Sequence, residues 1–529
     1  MREFNVTGIC VPHMHYMVDI SEKIEKIFKL VEGTKYFTIN RGRQYGKTTT
    51  IGRLRKRMPA DYICASISFQ DSTGKMFADE ESFCQSLLSR IHRALSAEHE
   101  NEAKLWLDEN VTDFAKLGLL ISKLCVDKKI ILIIDESDKA SNNNLFVEFL
   151  SMLREKYLMR NAGDDYTFHS VILAGVYDVR NLKRKMILQG NYVPTPSESV
   201  QNSPWNIAVD FDIDMSFSAP EIETMLADYE TENHSGMNIS EIAAEIRFYT
   251  SGYPYLVSRI CQLIDTKLDK NWTIEGVKEA IKIILDENST LFDDLFKKIE
   301  DNMDLQNLFY DLTVRQSDYL YNAHSPMIKL GLMYCFLARK NGNKIGMHNK
   351  IFEIAVTDYF ISRNQTEPKF RNVKNVFKNE IITGDFFDME LCLKKFKKHY
   401  AEIYTNKDLD FLERDGKLIF LTYLKPLING VGFYHFESET RDHGKIDLVI
   451  DFLKQQFILE MKLWYGDSKH KAAYDQLANY LKSKNVDRGY LLTFDFRKKG
   501  DSIAHETQWV NWEGKQIFDV VVRVGDEVS

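Results

Sequence analysis

The sequence predicts an α/β protein in which two α/β domains flank a helical region. Between Tyr36 and Leu182, short apolar runs alternate with helical stretches. Continuous apolar runs of this length are typical of strands buried on both faces of a parallel sheet. From Ser216 to Ser362 helical patterns prevail, and after Asn375 the predicted order is helix, three strands, helix, strand. A chain of 529 residues also exceeds what one core usually organises, so two to four domains are expected.

The first domain is predicted over residues 1–215, with strands at KYFTIN, YICASISF, KKIILIIDE and HSVILAGVYD and a helix at TTTIGRLRKRM. The helical region, residues 216–362, contains KNGNKIGMHNKIFEIAVTDYF near its end, which indicates a small β-wing followed by a helix. A helical lid with a winged-helix-like subdomain is therefore expected. The polar segment RNQTEPKFRN predicts a linker over residues 363–374.

The C-terminal domain is predicted over residues 375–529. Its helices are predicted at DMELCLKKFKKHYAEIY, KLIFLTYLKPLIN and KAAYDQLANYLKSK. Its strands are predicted at GFYHFES, KIDLVIDF, QFILEMKLW and GYLLTFDFR. The core order is therefore αβββαβ.

The composition is that of an ordinary globular protein, with 44% hydrophobic and 28% charged residues. No apolar run approaches the ~20 residues of a membrane span, and the N-terminus lacks the layout of a secretory signal. We therefore expect a cytoplasmic protein with no membrane partner. The seven cysteines form no CxxC pair, which argues against a zinc ribbon and a disulfide framework and favours buried thiols.

The charge pattern leaves nucleic-acid binding open. The net charge of −8 is weakly informative, because binding follows local patches. One basic run, LKKFKKHY, lies between Leu391 and Tyr400, with the aromatic residues Phe396 and Tyr400 interleaved. It is either a solvated helix face or a surface that follows a phosphate backbone.

The segment FTINRGRQYGKTTT predicts a phosphate-binding loop between a buried strand and a helix. Such a turn presents backbone N–H groups and the helix N-terminus to phosphate oxygens. Gly46 permits close approach, Lys47 reaches the phosphates, and the Thr48 hydroxyl binds Mg²⁺. The usual first glycine is replaced by Arg41. The predicted nucleotide-binding residues of the loop are Arg41, Gly42, Arg43, Gln44, Tyr45, Gly46, Lys47, Thr48 and Thr49.

The strand KKIILIIDE supplies the second half of this predicted site. It ends in two acids, Asp135 and Glu136, about 90 residues after the loop, in the order that a parallel sheet requires. Asp135 can hold the Mg²⁺ shell, and Glu136 can take a proton from an attacking water.

The segments INRGRQYGKTTT and IILIIDESD resemble the AAA-like ATPases of the P-loop class, as do HYMVD and GYPYLV. The resemblance implies a P-loop NTPase core that binds ATP with Mg²⁺. It also implies that Gly252 and Pro254 sense the nucleotide, although a packing turn is an equal alternative. The strand VILAGVYD lacks the Asn, Ser or Thr that the family usually has at the end of this strand. Tyr177 or Asp178 would have to take its place. Two arginines, Arg180 and Arg259, are alternatives for stabilising phosphate charge.

The stretch GKIDLVIDFLKQQFILEMKLW predicts a second chemical site. A hairpin that turns at Leu453 and Lys454 pairs residues whose numbers sum to 907, which places Asp447 beside Glu460. Lys462 shares the face of Glu460, because alternate residues of a strand point the same way. Two adjacent carboxylates favour a divalent cation, Mg²⁺ or Mn²⁺, and Lys462 can offset charge during attack on a phosphodiester.

This arrangement resembles the PD-(D/E)XK nuclease superfamily, which implies a restriction-endonuclease-like fold and cleavage of nucleic acid, with DNA favoured over RNA. Gln476 and Tyr480 lie one helical turn apart and resemble the extra motif of the RecB-like exonuclease branch. Ile446 stands where that family often has proline. The acid of the first helix stays open among Glu413, Glu437 and Glu439.

The two resemblances together imply an ATPase fused to a metal-dependent nuclease, which ATP regulates through access or homo-oligomerisation, in a setting such as defence against foreign DNA. Two alternatives remain. One is an ATP-switched sensor whose nuclease-like domain binds nucleic acid without cleavage. The other is a signalling scaffold that oligomerises on ATP.

Overall fold

The computed structural model describes residues 2–71, 74–140, 143–176, 205–287, 289–366, 378–403, 409–436, 446–464, 466–495 and 507–523. The chain forms two compact units. The first unit is Met1–Val277 with Lys329–Phe336, and the second is Lys278–Ile328 with Leu337–Ser529. These limits differ from the predicted domain boundaries at 215 and 362, which stay a prediction.

The first unit contains a four-stranded parallel sheet in the order β1-β4-β3-β2. Strand β4 is buried along its whole length, as is β3 after its first residue, which explains their unbroken apolar sequences. The elements around this sheet are α1 (Ser21–Glu32), β1 (Phe37–Asn40), α2 (Lys47–Arg57), β2 (Tyr62–Ser68), α3 (Glu80–Leu95), α4 (Glu100–Lys104), α5 (Phe114–Leu124), β3 (Lys129–Asp135), α6 (Asn144–Ala162) and β4 (Ser170–Gly175).

Helices follow the sheet, as the sequence predicts. The helical elements are α7 (Ala219–Asn233), α8 (Ile239–Thr250), α9 (Pro254–Lys267) and α10 (Ile274–Asp286). Ser218 and Glu221 form a reciprocal cap at the start of α7, which satisfies backbone N–H groups that the helix leaves unpaired.

The second unit begins within α10 and includes the predicted β-wing, which forms a three-stranded antiparallel sheet in the order β5-β7-β6. Its elements, with the helix α13 that the first unit contains in part, are α11 (Thr290–Glu300), α12 (Met303–Thr313), β5 (Tyr319–Leu320), α13 (Pro326–Met333), β6 (Leu337–Arg339), β7 (Lys344–Met347) and α14 (Lys350–Thr366).

The predicted linker is wrong at its start. Helix α14 continues to Thr366. Asn364 is buried and donates an amide hydrogen bond to Thr422 Oγ1 at 3.2 Å, so this turn of helix belongs to a packed core. The remainder of the predicted linker, residues 367–374, lies outside the described residues.

The C-terminal part of the second unit is a six-stranded mixed sheet in the order β10-β11-β12-β13-β15-β14. The predicted αβββαβ order is present, and two further strands extend the sheet. The elements are α15 (Lys378–Ile381), β8 (Ile382–Thr383), β9 (Phe386–Phe387), α16 (Met389–Ile403), α17 (Leu409–Ile428), β10 (Gly432–His435), β11 (Leu448–Phe452), β12 (Gln455–Leu463), α18 (Asp467–Ser483), β13 (Arg488–Asp495), β14 (Gln508–Trp512) and β15 (Lys515–Arg523).

The basic run on α16 does not present its aromatic residues to solvent. Phe396 and Tyr400 are fully buried, and the Phe396 ring packs against Phe420 and Tyr423. The interleaved aromatics are therefore part of the core, and the expectation that they form a surface along a phosphate backbone is wrong for these two residues.

Two features bear on the expected partners and thiols. Within the described ranges, no helix is long and apolar enough to cross a membrane. All seven cysteines are free thiols, and five of them are buried.

Candidate functional site

The first site lies at the carboxyl end of β1, where the chain turns through residues 41–46 into α2. Gln44 and Gly46 adopt left-handed backbone angles, with φ of 56° and 77°. These angles let the chain reverse within a few residues and begin the helix at Lys47. The loop therefore aims the N-terminus of α2 at the edge of the sheet, where an anion would meet backbone N–H groups.

The Lys47 side chain is buried, and its ammonium donates hydrogen bonds to the backbone oxygens of Arg41 at 3.0 Å and Gly42 at 2.9 Å. Burial lowers the pKa of Lys47, and the nearby acids Glu136 and Asp135 oppose that shift. The protein thus holds a lysine ammonium inside the loop, bonded to neutral carbonyl groups.

Asp135 ends β3 and meets the loop directly. Its Oδ2 accepts a hydrogen bond from Thr48 Oγ1 at 2.9 Å, and its Oδ1 accepts one from the Glu136 N–H at 2.9 Å. The predicted pairing of the loop with the strand-end acids is therefore present in the geometry. The hydroxyl and the carboxylate are both oxygen ligands of the kind that Mg²⁺ prefers.

Glu136 follows Asp135 in a left-handed conformation, with φ of 54°. Partial burial raises the pKa of its carboxyl group, and the charge of Asp138 raises it further. A raised pKa suits a group that must accept a proton near neutral pH. Asp138, which sequence reasoning did not single out, accepts a hydrogen bond from Val176 N at 3.3 Å and so ties this acidic segment to the end of β4.

Two further predicted loop residues, Arg41 and Thr49, have structural contacts within the first unit. Arg41 donates to Asn40 O and to Ile213 O at 2.9 Å, and its guanidinium lies over the Phe211 ring. Thr49 Oγ1 accepts a hydrogen bond from the Cys10 N–H at 3.2 Å. The nucleotide-binding roles of these two residues stay predictions.

Tyr253 is a loop partner that the sequence did not reveal. Its hydroxyl donates to the Arg43 carbonyl at 2.5 Å, and its ring packs edge-on against Tyr45, with ring centroids 4.8 Å apart. Pro254, the first residue of α9, lies beside Gly46, where an added Cβ would be 3.8 Å from the proline ring. Pro254 is thus adjacent to the loop, as its predicted role requires.

Gly252 has a packing reason of its own. Its φ is 71°, and an added Cβ would lie 1.9 Å from Phe217 O. Only glycine fits there, so a packing turn explains this glycine without a nucleotide. Of the alternative arginines, Arg259 donates to Gln262 Oε1 at 2.5 Å, while Arg180 lies outside the described residues, as do Tyr177 and Asp178.

Two residues of the segment Lys329–Phe336, Tyr334 and Cys335, lie against the loop at Gly42. Gly42 N donates to Cys335 Sγ at 3.3 Å, and a Cβ on Gly42 would lie 2.4 Å from Tyr334 O. Cys335 has a φ of 58°. This close approach leaves no room for a side chain at Gly42, the residue that follows Arg41.

The second site lies on the β11–β12 hairpin of the second unit. The observed pairs, such as Leu448 with Leu459, have numbers that sum to 907, as predicted, and Leu453 turns the hairpin with φ of 50°. The Asp447 N–H donates to Glu460 Oε2 at 3.2 Å, and Asp447 Oδ2 accepts the Met461 N–H at 2.8 Å. The hairpin thus holds the two acids side by side.

Each of these acids has a lysine partner. Lys462 Nζ lies 2.5 Å from Glu460 Oε1, and Lys417 on α17 donates to Asp447 Oδ1. Glu460 is fully buried, which raises its pKa to about 8 from 4.5, and the charge of Asp447 adds to this shift while Lys462 opposes it. Lys417 was not predicted, since it lies thirty residues before Asp447 in the chain.

The described residues bring no third acid to this pair, and no group of three or more His, Cys, Asp or Glu side chains among them is arranged to hold a metal ion. Glu437 and Glu439 lie outside the described residues, as does the Glu413 side chain. Among the described residues, Asp447 and Glu460 therefore offer two carboxylates, each of which contacts a lysine, and their predicted role as metal ligands stays a prediction.

The predicted pair on α18 is helical, as expected. Tyr480 is buried in the core cluster with Leu477 and Leu491, and Gln476 is partly exposed. Their predicted catalytic role stays a prediction.

No family model matches the chain. An uncharacterized WD repeat-containing protein of Synechocystis sp. is 25% identical over 239 residues, which are 43% of this chain and 18% of that relative. The chain therefore spans less than a fifth of the length of the relative that it matches.

Two solved structures are similar at low identity. The Walker-type ATPase PABY2304 of Pyrococcus abyssi has a TM-score of 0.44 and 11% identity, over 67% of this chain and 99% of that chain. The Aeropyrum pernix ORC2 protein, in ADPNP-ADP complexes, has a TM-score of 0.36 and 12% identity, over 69% of this chain and 98% of that chain. Likenesses this distant carry no argument about function.

Proposed function

We propose that the chain is an ATP-binding and ATP-hydrolysing P-loop protein of the AAA-like kind. The observation that carries this proposal is the meeting of Thr48 Oγ1 and Asp135 Oδ2, 2.9 Å apart, at the start of α2 beside the buried Lys47 ammonium. A loop, a lysine and a strand-end acid in this arrangement provide the donors and the cation ligands that a nucleotide triphosphate needs.

Each residue of this site has a separate proposed role. The N-terminus of α2 and Lys47 bind and orient the phosphates, and Thr48 with Asp135 would hold Mg²⁺, which neutralises phosphate charge when bound. Glu136, whose pKa is raised, accepts a proton from the attacking water.

The test is nucleotide binding and hydrolysis by the full chain. Glu136→Gln should retain ATP binding and lower the hydrolysis rate at least ~100-fold, because general-base catalysis contributes about that much. Asp61→Asn, an exposed acid bonded to Lys129, is the matched control and should leave both unchanged. Hydrolysis at the wild-type rate in Glu136→Gln would remove this residue from the proposed mechanism.

For the second unit we propose metal-dependent cleavage of nucleic acid, with DNA favoured. The supporting observation is the paired placement of Asp447 and Glu460, with Lys462 2.5 Å from Glu460. Mg²⁺ or Mn²⁺ held by the two acids would supply an activated water, and Lys462 offsets charge on the phosphate. Nucleotide binding in the first unit would regulate this cleavage, either through access to the nuclease site or through assembly of several copies of the chain.

A second candidate function is binding without cleavage, in an ATP-switched sensor or scaffold. The observation that favours it is the pairing of both acids with lysines, Lys417 and Lys462, which compensates their charge within the protein. Ammonium groups among buried acids can bind a phosphate backbone as well as assist its cleavage.

A cleavage panel separates the two functions. Single- and double-stranded DNA and RNA are incubated with the full chain and Mg²⁺ or Mn²⁺, with and without ATP. Cleavage that disappears in Asp447→Ala and Lys462→Ala and persists in Asp475→Ala, an exposed acid on α18, supports the nuclease. Tight binding with no cleavage under any condition supports the sensor.

A further inference from the structure

A cavity of about 370 Å³ adjoins the carboxylate pair. Three cationic side chains line it, from three separate parts of the second unit: Arg315, Lys417 and Lys462. Apolar lining comes from Met461, Leu463 and Phe494. A lining that combines cationic and apolar side chains suits the two parts of a nucleotide, its phosphate and its base.

Arg315 is held at this cavity by the turn that follows α12. The next residue, Gln316, has a left-handed φ of 53°, and its Nε2 donates to the backbone oxygen of Asp447 at 3.1 Å. A left-handed conformation is uncommon for a residue other than glycine and costs free energy, so it needs support from its surroundings. The bond to Asp447 provides that support and ties the turn to the carboxylate hairpin.

The Arg315 guanidinium is also oriented by two residues of α12, the helix that precedes it. Its Nη1 donates to Asp311 Oδ1 at 2.6 Å, and its central carbon, Cζ, lies 5.0 Å from the centre of the Tyr310 ring. A guanidinium has several N–H donors in a planar fork that matches phosphate oxygens, and the bond to Asp311 uses one edge of it. The side chain is about one third exposed, at 34%, so it can be reached from the cavity and from solvent.

We propose that this cavity binds one nucleotide of an unpaired nucleic-acid strand, and that Arg315 binds a backbone phosphate next to the one at Lys462. The proposal rests on the nucleic-acid function proposed for this site and adds its substrate class and a binding residue from the helical region. The cavity lies near the lower end of the ~300–1,000 Å³ range of ligand sites. It therefore suits one base and its phosphate rather than a base pair.

The test measures equilibrium binding of a fluorescein-labelled oligonucleotide by anisotropy, in EDTA so that no metal-dependent cleavage occurs. The probes are a single-stranded DNA, a single-stranded RNA of the same sequence and the DNA duplex. The variants are Arg315→Ala and Arg315→Lys. The matched control is Arg488→Ala, an exposed arginine at the start of β13, the opposite end of that strand from Phe494.

We expect wild type to prefer the unpaired strands, and Arg315→Ala to weaken that binding about tenfold, the size of one charged hydrogen-bond contact. The slope of log affinity against log salt should fall by about 0.7, the value for one phosphate contact on a single strand. Arg315→Lys should restore the slope but only part of the affinity, because it keeps the charge and loses the fork. A merely structural role would not change the salt slope by one contact.

Three outcomes would overturn the proposal. They are wild-type affinity and slope in Arg315→Ala, equal or tighter binding of the duplex, and no binding of any probe by wild type. If Arg315→Ala melts early, Arg315→Lys and Arg315→Gln carry the same test. A wild-type protein that binds unpaired strands through Arg315 but cleaves nothing with Mg²⁺ or Mn²⁺ would refute the nuclease and leave this inference standing.

Discussion

The two candidate sites handle buried charge in opposite ways. In the first unit, the buried Lys47 ammonium bonds to two neutral carbonyl oxygens, and Asp135 bonds to the Thr48 hydroxyl. In the second unit, Asp447 and Glu460 each contact a lysine ammonium. In the first site no acid contacts the ammonium directly, whereas in the second site each acid contacts a lysine ammonium.

This difference has a chemical meaning. A buried cation whose hydrogen-bond acceptors are all neutral gains most from an anionic ligand, because a full charge replaces carbonyl dipoles. Acids that already have cationic partners gain less from a metal ion, because the ion must compete with lysines. We therefore expect the first site to bind anions tightly. We expect the metal affinity of the second site to depend on its lysines, because they compete with the ion.

The largest effect is expected at Lys47. Lys47→Ala should weaken ATP binding roughly 100-fold or more, since it removes charge-assisted hydrogen bonds to phosphate worth about 3 kcal/mol. Isothermal titration of ATP into the full chain measures this. Lys56→Ala, an exposed lysine in the last turn of the same helix, should bind as wild type. Intact binding in Lys47→Ala would exclude the loop from the nucleotide site.

The second effect tests competition between Lys417 and a metal. Lys417→Ala should tighten Mn²⁺ binding about tenfold, because one positive charge beside Asp447 is removed. Electron paramagnetic resonance of Mn²⁺ measures the bound fraction. Lys425→Ala is the control, since this lysine of the same helix bonds to Asp358. Equal Mn²⁺ affinity in wild type and Lys417→Ala would show that Lys417 does not oppose the ion.

A third prediction concerns pH. The pKa of Glu460 is raised from 4.5 to about 8, so between these values the folded state binds more protons than the unfolded state. Stability then falls as pH rises through that window. In EDTA, Glu460→Gln should lack this slope and should melt about 10 °C above wild type at pH 9. Thermal unfolding from pH 5 to 9 measures it.

The control for this variant is Glu513→Gln, whose exposed carboxylate pairs with Lys482. It should retain the wild-type pH slope. A Glu460→Gln profile parallel to that of wild type would mean that the Glu460 pKa is not raised in the folded protein.

The smallest effect is expected at Tyr253. Tyr253→Phe removes the hydroxyl that bonds to the Arg43 carbonyl and should weaken ATP binding about fivefold, the equivalent of about 1 kcal/mol. Tyr229→Phe, which removes a comparable bond to Asp265, is the control. If both variants bind ATP equally well, the Tyr253 contact does not shape the loop for the ligand.

The contact between the loop and the strand-end acid in the first unit could be predicted from the sequence because both parts are local motifs. A loop and a strand end each consist of adjacent residues, and parallel topology brings the two together, as Thr48 and Asp135 show. The hairpin register of Asp447 and Glu460 was predictable for the same reason, since one turn determines every pair.

The other partners could not be predicted, since they come from distant segments. Lys417 and Arg315 carry no motif, and their positions depend on the packing of whole helices. The hairpin of β14 and β15 was missed despite a local signal, the Glu513-Gly514 turn with positive φ at both residues. Phe396 and Tyr400 were expected on a surface and are buried instead, because an aromatic residue between lysines on a helix can equally face the core.

The contact of Gly42 with Tyr334 and Cys335 also has a consequence for the order in which the chain can fold during its synthesis. The ribosome completes Cys335 only 293 residues after Gly42, which takes roughly 15 to 60 s at about 5–20 residues per second. During that interval Gly42 of the nascent loop lacks its contacts with Tyr334 and Cys335. A chain truncated after Val277 would lack these contacts permanently, because Tyr334 and Cys335 are encoded beyond the cut although they belong to the first unit.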